Sequence, residues 1–382
     1  MNDLKNYVVS IVIPVYNGSD FVCEAVESAL NQTYSDVEVV VVNDGSNDDG
    51  RTRDCLKPYL DRIVYIEKEN GGVASALNEG ISRMSGDFFT WLSHDDLFDN
   101  NKVKRQIEEV IKSGNDMTIS AMNYIFFDDV SKDEVESNFH KYYSKECLSA
   151  SAFLLFWGEL HFSSLLFSRK HFERVGLFNE NLLTAQDNDF IFRLLKGQRI
   201  SFVEDVGSYV RIHKASGTAT HKDVVDGENS KLFMRINDEL SEKEKEEISG
   251  SVKHTEDKLK AISVSMGPAL EKLPIERTTK DSNIVLVGAG VYGRRLNYEL
   301  IANGIKPKMF LDNNPQKDGN IIDGTVCRKL DLSNIKKEDK LVVTNRIYSS
   351  IVKQLNDMGI KEYYLKSQID RMILDGTVYD LL

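Results

Sequence analysis

Two adjacent carboxylates, Asp95 and Asp96, follow a short apolar segment at residues 86–92 that begins at a glycine. Such a segment predicts a buried strand. In an open α/β sheet, the side chains that follow a strand lie at the carboxyl edge, where these sheets bind ligands. Paired carboxylates there suit a hard divalent cation that shares its shell with substrate phosphates. The same residues could instead cap the helix predicted over residues 101–113, so both interpretations stay open.

Candidate binding residues also lie at the ends of three earlier predicted strands. They are Pro14 and Tyr16 at the end of residues 7–15, Asp44 after residues 37–42, and Asn70 and Gly72 after residues 63–67. Asp44 suits a hydrogen bond to a base or ribose, although a simple turn is the alternative. Paired glycines before a helix allow a phosphate to approach the backbone. The repeated strand, turn and helix predicts a doubly wound sheet with these residues on one edge.

The composition limits the classes of function. The chain has 382 residues, 41% hydrophobic and 28% charged, with a formal net charge of -12. These values predict two globular domains and exclude a nucleic-acid partner, which needs a basic surface. The four cysteines lack metal-ligand spacing and are typical of reduced thiols. No signal peptide or membrane-spanning segment is apparent, which predicts a cytoplasmic protein.

The four polar strand ends together resemble the family 2 glycosyltransferases of the GT-A fold over roughly residues 7 to 215. The motifs that carry the resemblance are residues 10–17 (SIVIPVYN), 41–46 (VVNDGS), 69–72 (ENGG) and 93–96 (SHDD). The resemblance implies a UDP-sugar donor, a Mn²⁺ or Mg²⁺ ion and inversion at the anomeric carbon. It also implies a glycan or lipid-linked saccharide acceptor, and the latter would bring the protein to the inner face of the membrane.

The resemblance assigns roles to individual residues. Donor binding is expected from Pro14, Tyr16, Asp44, Asn70, Gly72, Asp95 and Arg211, and metal binding from Asp95, Asp96 and His213. The family's metal motif usually opens with Asp, whereas this chain has Ser93.

Residues 186–189, at the start of a later predicted helix, resemble the family's acidic motif. Inverting transfer needs a carboxylate that accepts the proton of the attacking hydroxyl. Asp187 is the expected base and Asp189 the second candidate, although carboxylates in a first helical turn could also serve only as caps. Gln186 replaces the Glu that the family usually has. Trp157 and His161 could line an acceptor groove, or Trp157 could belong to the core.

The rest of the chain predicts a charged helical connector and a smaller Rossmann-like domain. In the latter, Gly288, Gly290 and Gly293 join a strand to a helix, and Asp312 ends the next strand. This spacing is typical of dinucleotide folds, and the segment also resembles small nucleotide-binding modules of sugar-modifying bacterial proteins. NAD(H), another nucleotide or sugar nucleotide, and a ligand-free docking role all stay open.

The sequence therefore predicts an α/β protein with a GT-A fold and a mainly parallel sheet at residues 1–225, a connector at 226–280 and a Rossmann-like domain at 281–382. The main functional prediction is a metal-dependent inverting glycosyltransferase. A nucleotide-sugar oxidoreductase or epimerase and a non-catalytic sugar-nucleotide binding protein are the alternatives. Assembly into a homo-oligomer stays open.

Overall fold

The computed structural model describes residues 7–382 and divides the chain into two compact units. The first unit ends at Val225 and the second runs from Asp226 to Leu382. No helix of the described part is long and apolar enough to cross a bilayer. Residues 226–280, predicted as a separate connector, lie in the same compact unit as residues 281–382.

The strands of the first unit are β1 (Val9–Val15), β2 (Val37–Asp44), β3 (Val64–Lys68), β4 (Phe88–Trp91), β5 (Leu97–Phe98), β6 (Ile119–Phe127), β7 (Glu134–Glu136), β8 (Leu165–Ser168) and β9 (Ile200–Arg211). The helices are α1 (Val22–Leu30), α2 (Arg51–Leu56), α3 (Gly72–Arg83), α4 (Lys102–Ser113), α5 (Phe139–Tyr142), α6 (Lys145–Ser149), α7 (Phe153–Phe156), α8 (Lys170–Val175), α9 (Gln186–Leu195) and α10 (Gly217–Thr220).

One sheet contains all these strands, in the order β3-β2-β1-β4-β8-β6-β9-β5, with β7 paired to β6. Strands β3, β2, β1 and β4 run parallel. Every residue of β1 is buried, and α1 covers the sheet with Val22, Ala25, Val26 and Ala29. Unbroken apolar strands of this kind are buried on both faces. Parallel pairing therefore brings the residues that follow β1, β2, β3 and β4 to one edge, as predicted.

Two segments of the first unit differ from the sequence prediction in detail. Helical spacing predicts one helix over residues 147–157, but the structure has α6 and α7 with an interruption between them. Ala150 is extended and Ala152 takes a left-handed φ of 56°. All four residues of α7 are buried. A segment that is buried on every side has no single apolar face, so the apolar repeat does not fix where its helix begins and ends. The polar segment from residue 128 is predicted as a loop or hairpin; it does form the β6–β7 hairpin and differs only in the additional short helix α5.

The second unit begins within α11 (Lys222–Glu239). Its further helices are α12 (Glu242–Ser249), α13 (Val252–Met266), α14 (Val291–Ala302), α15 (Ser349–Asp357) and α16 (Lys366–Leu374). Its strands are β10 (Lys280–Asp281), β11 (Ile284–Val287), β12 (Ile305–Lys306), β13 (Met309–Asp312), β14 (Ile321–Ile322), β15 (Thr325–Lys329), β16 (Lys340–Val343) and β17 (Tyr364–Leu365). The main sheet has the order β14-β15-β13-β11-β16-β17 and is parallel except for β14.

The helix α13 belongs to the core of the second unit. Ala261 of α13 packs with Leu273 and with Tyr298 and Ala302 of α14. The Nζ atom of the buried Lys258 lies 3.0 and 2.9 Å from the two carboxylate oxygens of Glu299, and 3.2 Å from Asp370. The predicted connector is therefore not only a solvated linker, because one of its helices buries apolar and charged groups against the sheet unit.

Candidate functional site

Asp44, the last residue of β2, lies at the shared edge and is almost fully buried. Its Oδ1 accepts hydrogen bonds from the Gly71 backbone N–H (3.0 Å) and from Lys68 Nζ (2.8 Å), and its Oδ2 accepts one from the Gly72 N–H (2.8 Å). Asn70 Nδ2 donates to the Asp44 carbonyl at 2.9 Å. The structure thus brings the predicted Asp44, Asn70 and Gly72 together, with the glycine amides bound to the carboxylate rather than directed at a phosphate.

Lys68 is a site residue that the sequence interpretation missed. It ends β3 and pairs in register with Asp44 of β2. The signal was present, because neighbouring parallel strands that end at the same edge place their last residues side by side. The ammonium group of Lys68 thus places one positive charge next to the buried Asp44 carboxylate.

The loop after β1 lies beside the loop after β2. Tyr16 is 42% exposed, whereas Pro14 is buried within β1. Asn17 and Asn47 exchange hydrogen bonds of 2.8 and 2.9 Å, and the Gly18 N–H donates to Thr52 Oγ1 at 3.0 Å. These contacts leave the Tyr16 side chain at the surface of the edge.

Gly18 allows the loop after β1 to lie close to the loop after β4, which carries His94, Asp95 and Asp96. A Cβ atom added there would lie 2.4 Å from Cδ2 of His94 and 2.6 Å from Val15. Only glycine fits at such a separation. Burial lowers the pKa of His94, which favours the neutral imidazole against this loop.

Asp95 and His213 are 118 residues apart in sequence and come together at the sheet edge. His213 Nε2 lies 2.9 Å from Asp95 Oδ2, and the two side chains are 18% and 16% exposed. Asp95 follows β4 and His213 follows β9. A carboxylate and an imidazole that are adjacent and partly exposed are suitable ligands for a divalent transition metal.

Asp96 has a different environment from Asp95. Its side chain is buried, and its Oδ1 accepts a hydrogen bond from the Arg211 backbone N–H at 2.9 Å. Burial, with a smaller contribution from the Asp95 charge, raises the pKa of Asp96 well above its usual range, and hydrogen bonds from Arg211 and Ser93 oppose this. The Ser93 hydroxyl therefore supports Asp96, where an aspartate would add a third negative charge.

Arg211 is buried between two aromatic rings, and each of its side-chain nitrogens has a hydrogen-bond partner. Its guanidinium lies 4.6 Å from the Phe21 ring centroid and 4.7 Å from that of Phe127. Nε donates to the Asp95 carbonyl at 2.9 Å, and the other nitrogens pair with Glu24 and Asp129. Only 4% of the Arg211 side chain is exposed, so it supports the loop that carries Asp95 and Asp96 from the protein interior. This geometry does not support the predicted contact with a donor diphosphate.

The predicted bases on α9 occupy different environments. Asp187 is partly exposed at the first turn, and its Oδ1 accepts a hydrogen bond from the Asn188 N–H at 2.7 Å. Burial of the carboxyl group raises the pKa of Asp187 to about 6. Asp189 is buried and pairs with Arg193 at 2.9 Å. The carboxylate of Asp189 is thus committed to an ion pair, whereas Asp187 has the raised pKa that suits a general base.

Aromatic rings connect α9 to β4. Trp91 packs on Phe162 and Phe178, and Phe178 stacks on Phe190 of α9 with centroids 4.3 Å apart. Gln186, one turn before Phe190, is buried, and its Oε1 has no hydrogen-bond partner within the described residues. Trp157, considered above for an acceptor groove, is buried and stacked parallel to Phe153, so it belongs to the core. His161 bonds to Ser163 at 2.7 Å.

The residues present fit a divalent cation only in part. Asp95 and His213 have suitable ligand atoms close together, whereas the buried carboxylate of Asp96 already accepts hydrogen bonds. Across residues 7–382 no cluster of three or more His, Cys, Asp or Glu side chains could hold a metal ion. Two protein ligands are enough where substrate phosphates complete the shell.

Of the four residues predicted in the second unit, Gly288 and Gly290 lie in the turn after β11, Gly293 lies in the first turn of α14 and Asp312 ends β13. Asp312 Oδ2 accepts hydrogen bonds from the Ala289 N–H at 2.8 Å and from Lys317 Nζ at 2.9 Å, and Oδ1 accepts one from the Asn314 N–H. A Cβ at Gly288 or Gly293 would collide with neighbouring atoms, whereas Gly290 has open space around it. Asp312 therefore holds the turn between β11 and α14.

The chain is similar to known proteins in sequence and in fold. The sequence model described as Glycosyl transferase family 2 matches residues 10–175. An uncharacterized glycosyltransferase from Rickettsia felis is 42% identical over 211 residues, which is 55% of this chain and 35% of that protein. One from Rickettsia typhi is 42% identical over 213 residues, 56% of this chain and 66% of that protein. The chain thus spans between about one third and two thirds of the length of these curated relatives.

Glycosyltransferase GlyA from Streptococcus pneumoniae is 26% identical over 219 residues, 50% of this chain and 31% of that protein. Among solved structures, TarS 1-349 from S. aureus in complex with UDP-GlcNAc matches with a TM-score of 0.50 and 15% identity, over 68% of this chain and 82% of that chain. At this identity the likeness shows the fold alone. The predicted α/β fold class is confirmed, with a GT-A domain followed by a smaller α/β unit.

Proposed function

Because residues 10–175 form a family 2 glycosyltransferase domain, we propose that the first unit transfers a sugar from a UDP-sugar to a hydroxyl group of a glycan or lipid-linked saccharide. The reaction inverts the anomeric carbon and requires a divalent cation. The observation that carries the proposal is the pairing of Asp95 with His213 at 2.9 Å, at the same sheet edge as Asp44. These residues are far apart in sequence, and ligands of open α/β sheets bind at that edge.

The proposed chemistry assigns the base to Asp187. Its carboxylate accepts the proton of the acceptor hydroxyl as the oxygen attacks the anomeric carbon. The bond from that carbon to the diphosphate oxygen breaks on the opposite face, and UDP leaves with the electron pair. A pKa of about 6 keeps Asp187 largely ionised at neutral pH while leaving it basic enough to take a proton.

Other residues of the edge position the donor. Tyr16 and Asp44 would contact the nucleoside: Tyr16 is exposed at the edge, and Lys68 adds positive charge beside Asp44. Asp95 and His213 would hold a Mn²⁺ or Mg²⁺ ion, which when bound neutralises the charge on the leaving diphosphate. Arg211 and Asp96 fix the loop that carries Asp95 and need not contact the substrate.

Calorimetric titration of UDP tests this proposal. We expect binding in Mn²⁺ that is lost in EDTA and weakened about tenfold or more by Asp95→Asn, because the diphosphate then lacks its cation. Asp20→Asn is the matched control, since it removes one exposed carboxylate outside the pair. Equal UDP binding by the wild type and Asp95→Asn would contradict the metal assignment. No UDP binding under either condition would contradict the donor assignment, and tight binding without transfer would favour a non-catalytic role.

A further inference from the structure

Asn78, in the middle of α3, holds the loop that leads into α9, the helix that carries Asp187. Its Oδ1 accepts a hydrogen bond from the Phe178 N–H at 3.0 Å, and its Nδ2 donates to the Phe178 carbonyl at 3.0 Å. Nδ2 also donates to Glu180 Oε1 at 2.8 Å. An amide that binds both the N–H and the C=O of one residue acts as a strand partner would, so it fixes the position and the orientation of that backbone.

The side chain of Phe178 carries this constraint to α9. Phe178 is 3% exposed, and its ring stacks on that of Phe190 with centroids 4.3 Å apart. Phe190 is fully buried and lies one helical turn after Asp187. The Phe178 ring also packs edge-on against Trp91 of β4 at 5.9 Å. Because rings in a close-packed core have little free space around them, a shift of the Phe178 backbone would displace the first turn of α9.

The loop at residues 176–185 depends on polar contacts for its position. Its side chains Leu177 and Leu183 are 48% and 56% exposed, so they do not anchor it in the core. Arg193 of α9 donates to the Leu177 carbonyl at 3.1 Å, which ties the loop to its own helix. The bonds of Asn78 tie it instead to α3, an element from the first half of the unit.

The opposite end of α3 lies at the donor edge. The helix begins at Gly72, whose N–H donates to Asp44 Oδ2 at 2.8 Å. At the rise of an α-helix, Asn78 lies about 9 Å further along the axis. The helix rests directly on the sheet, because a Cβ added at Gly80 would lie 2.5 Å from Val12. A helix held in this way acts as a rigid spacer between the nucleoside edge and the loop before α9.

We propose that Asn78 is a positioning residue for sugar transfer. It holds Phe178, and through it the first turn of α9, at a fixed place relative to the donor edge, so that Asp187 meets the acceptor hydroxyl. This inference rests on the proposed role of Asp187 as the base, and Asn78 itself need not touch the substrate. A reacting group that is misplaced by about 1 Å can lower a rate about 100-fold, so the hydrogen bonds of one amide are sufficient for such a role.

Transfer rates and UDP calorimetry test this role. Asn78→Ala removes all three hydrogen bonds, and Asn78→Asp sets a carboxylate against the Phe178 carbonyl. We expect kcat to fall about 10- to 100-fold in both variants, while the dissociation constant of UDP in Mn²⁺ changes less than about twofold. Arg83→Ala, which removes an exposed side chain from the same helix, should change neither value. Thermal melting confirms that each variant is folded. Unchanged kcat in both Asn78 variants, or UDP binding weakened as much as kcat, would overturn the proposal.

The Asp187→Asn background separates the positioning of the base from a general loss of structure. If Asn78 acts through Asp187, adding Asn78→Ala to Asp187→Asn should lower the residual rate by less than about twofold. A further loss of about 10- to 100-fold would mean that Asn78 acts on another group, and would overturn the proposal.

Hydrogen exchange, read by mass spectrometry, examines the same contact without catalysis. In Asn78→Ala, the amides of residues 178–192 should exchange faster than in the wild type and in Arg83→Ala, because the loop and the first turn of α9 are no longer held. Exchange equal to that of the wild type would overturn the positioning role alone. A wild-type chain that transferred no sugar from any UDP-sugar would instead overturn the proposed function.

Discussion

Asp187 and Asp189 show how two carboxylates on one helical turn acquire different chemistry. The carboxylate of Asp189 is neutralised by Arg193 at 2.9 Å. Asp187 is only partly exposed, and burial of its carboxyl group raises the pKa of Asp187 to about 6. Desolvation favours the protonated acid, and a strong cationic partner would have reversed that effect. A carboxylate with this pKa is suited to accept a proton near neutral pH.

Asp187→Asn should lower the rate of sugar transfer about 100- to 10,000-fold, the usual contribution of a general base. Binding of UDP should be unchanged, because the amide has nearly the same shape. In the wild type, the rate should rise with pH through about 6 and then level off, because only the ionised carboxylate accepts a proton. Initial rates between pH 5 and 8 measure both effects.

Asp189→Asn is the matched control for this change. It breaks a buried ion pair, so it should lower the free energy of unfolding while the pH profile of the folded enzyme keeps its rise near 6. If Asp187→Asn retained substantial transfer with an unchanged pH profile, Asp187 would not be the base.

At the residue scale, the sequence predicts the identity of the polar groups at the sheet edge but not their partners. Asp44, Asp95 and Asp187 follow strands or open a helix, and these positions are visible as local patterns. The pairing of Asp95 with His213 crosses 118 residues, and the burial of Asp96 depends on the Arg211 backbone. Long-range pairings of this kind arise from tertiary packing, which no local pattern contains.

Among the elements, Arg211 connects four segments to one another. It ends β9, contacts the rings of Phe21 and Phe127, pairs with Glu24 of α1 and holds the Asp95 carbonyl. Its guanidinium plane contacts two aromatic rings, and its N–H groups bond to two carboxylates and a carbonyl. The position of Arg211 two residues before His213 predicts a contact with the donor, but the sequence does not show that the Arg211 side chain turns inward.

Arg211→Lys should lower the free energy of unfolding by about 2–4 kcal/mol, because a lysine cannot stack between two rings or reach several acceptors at once. Metal-dependent UDP binding should weaken as well, since the loop that carries Asp95 loses its support. Arg105→Lys is the control, because its ion pair with Asp205 is exposed and should change stability by less than about 1 kcal/mol. Urea unfolding of both variants measures the difference, and equal stability would contradict this role of Arg211.

On the scale of the whole molecule, the chain contains two compact units, each with its own buried clusters. One cluster of the first unit joins β1, β2, α1 and α4, and three clusters of the second lie within residues 261–381. The alternation of strands and helices predicts both sheets. The charge run and the prolines at 268 and 274 predict a boundary at 280, but Lys258 pairs with Glu299 and Asp370 beyond it. A run of charged residues on a helix predicts a solvent-exposed face, because the sequence does not show which of these charges have buried partners.

We expect the fragment 222–382 to unfold cooperatively, whereas the fragment 281–382 should be less stable by about 3–5 kcal/mol or more. The shorter fragment loses Lys258, which leaves Glu299 without its partner in the core, and uncovers Tyr298 and Ala302. Urea unfolding followed by circular dichroism measures both fragments. Within 222–382, Lys258→Met should reproduce the electrostatic part of the loss, while Lys260→Met, at a lysine that is 40% exposed, should change stability by less than about 0.5 kcal/mol. If 281–382 were as stable as 222–382, α13 would be a linker rather than part of the second unit's core.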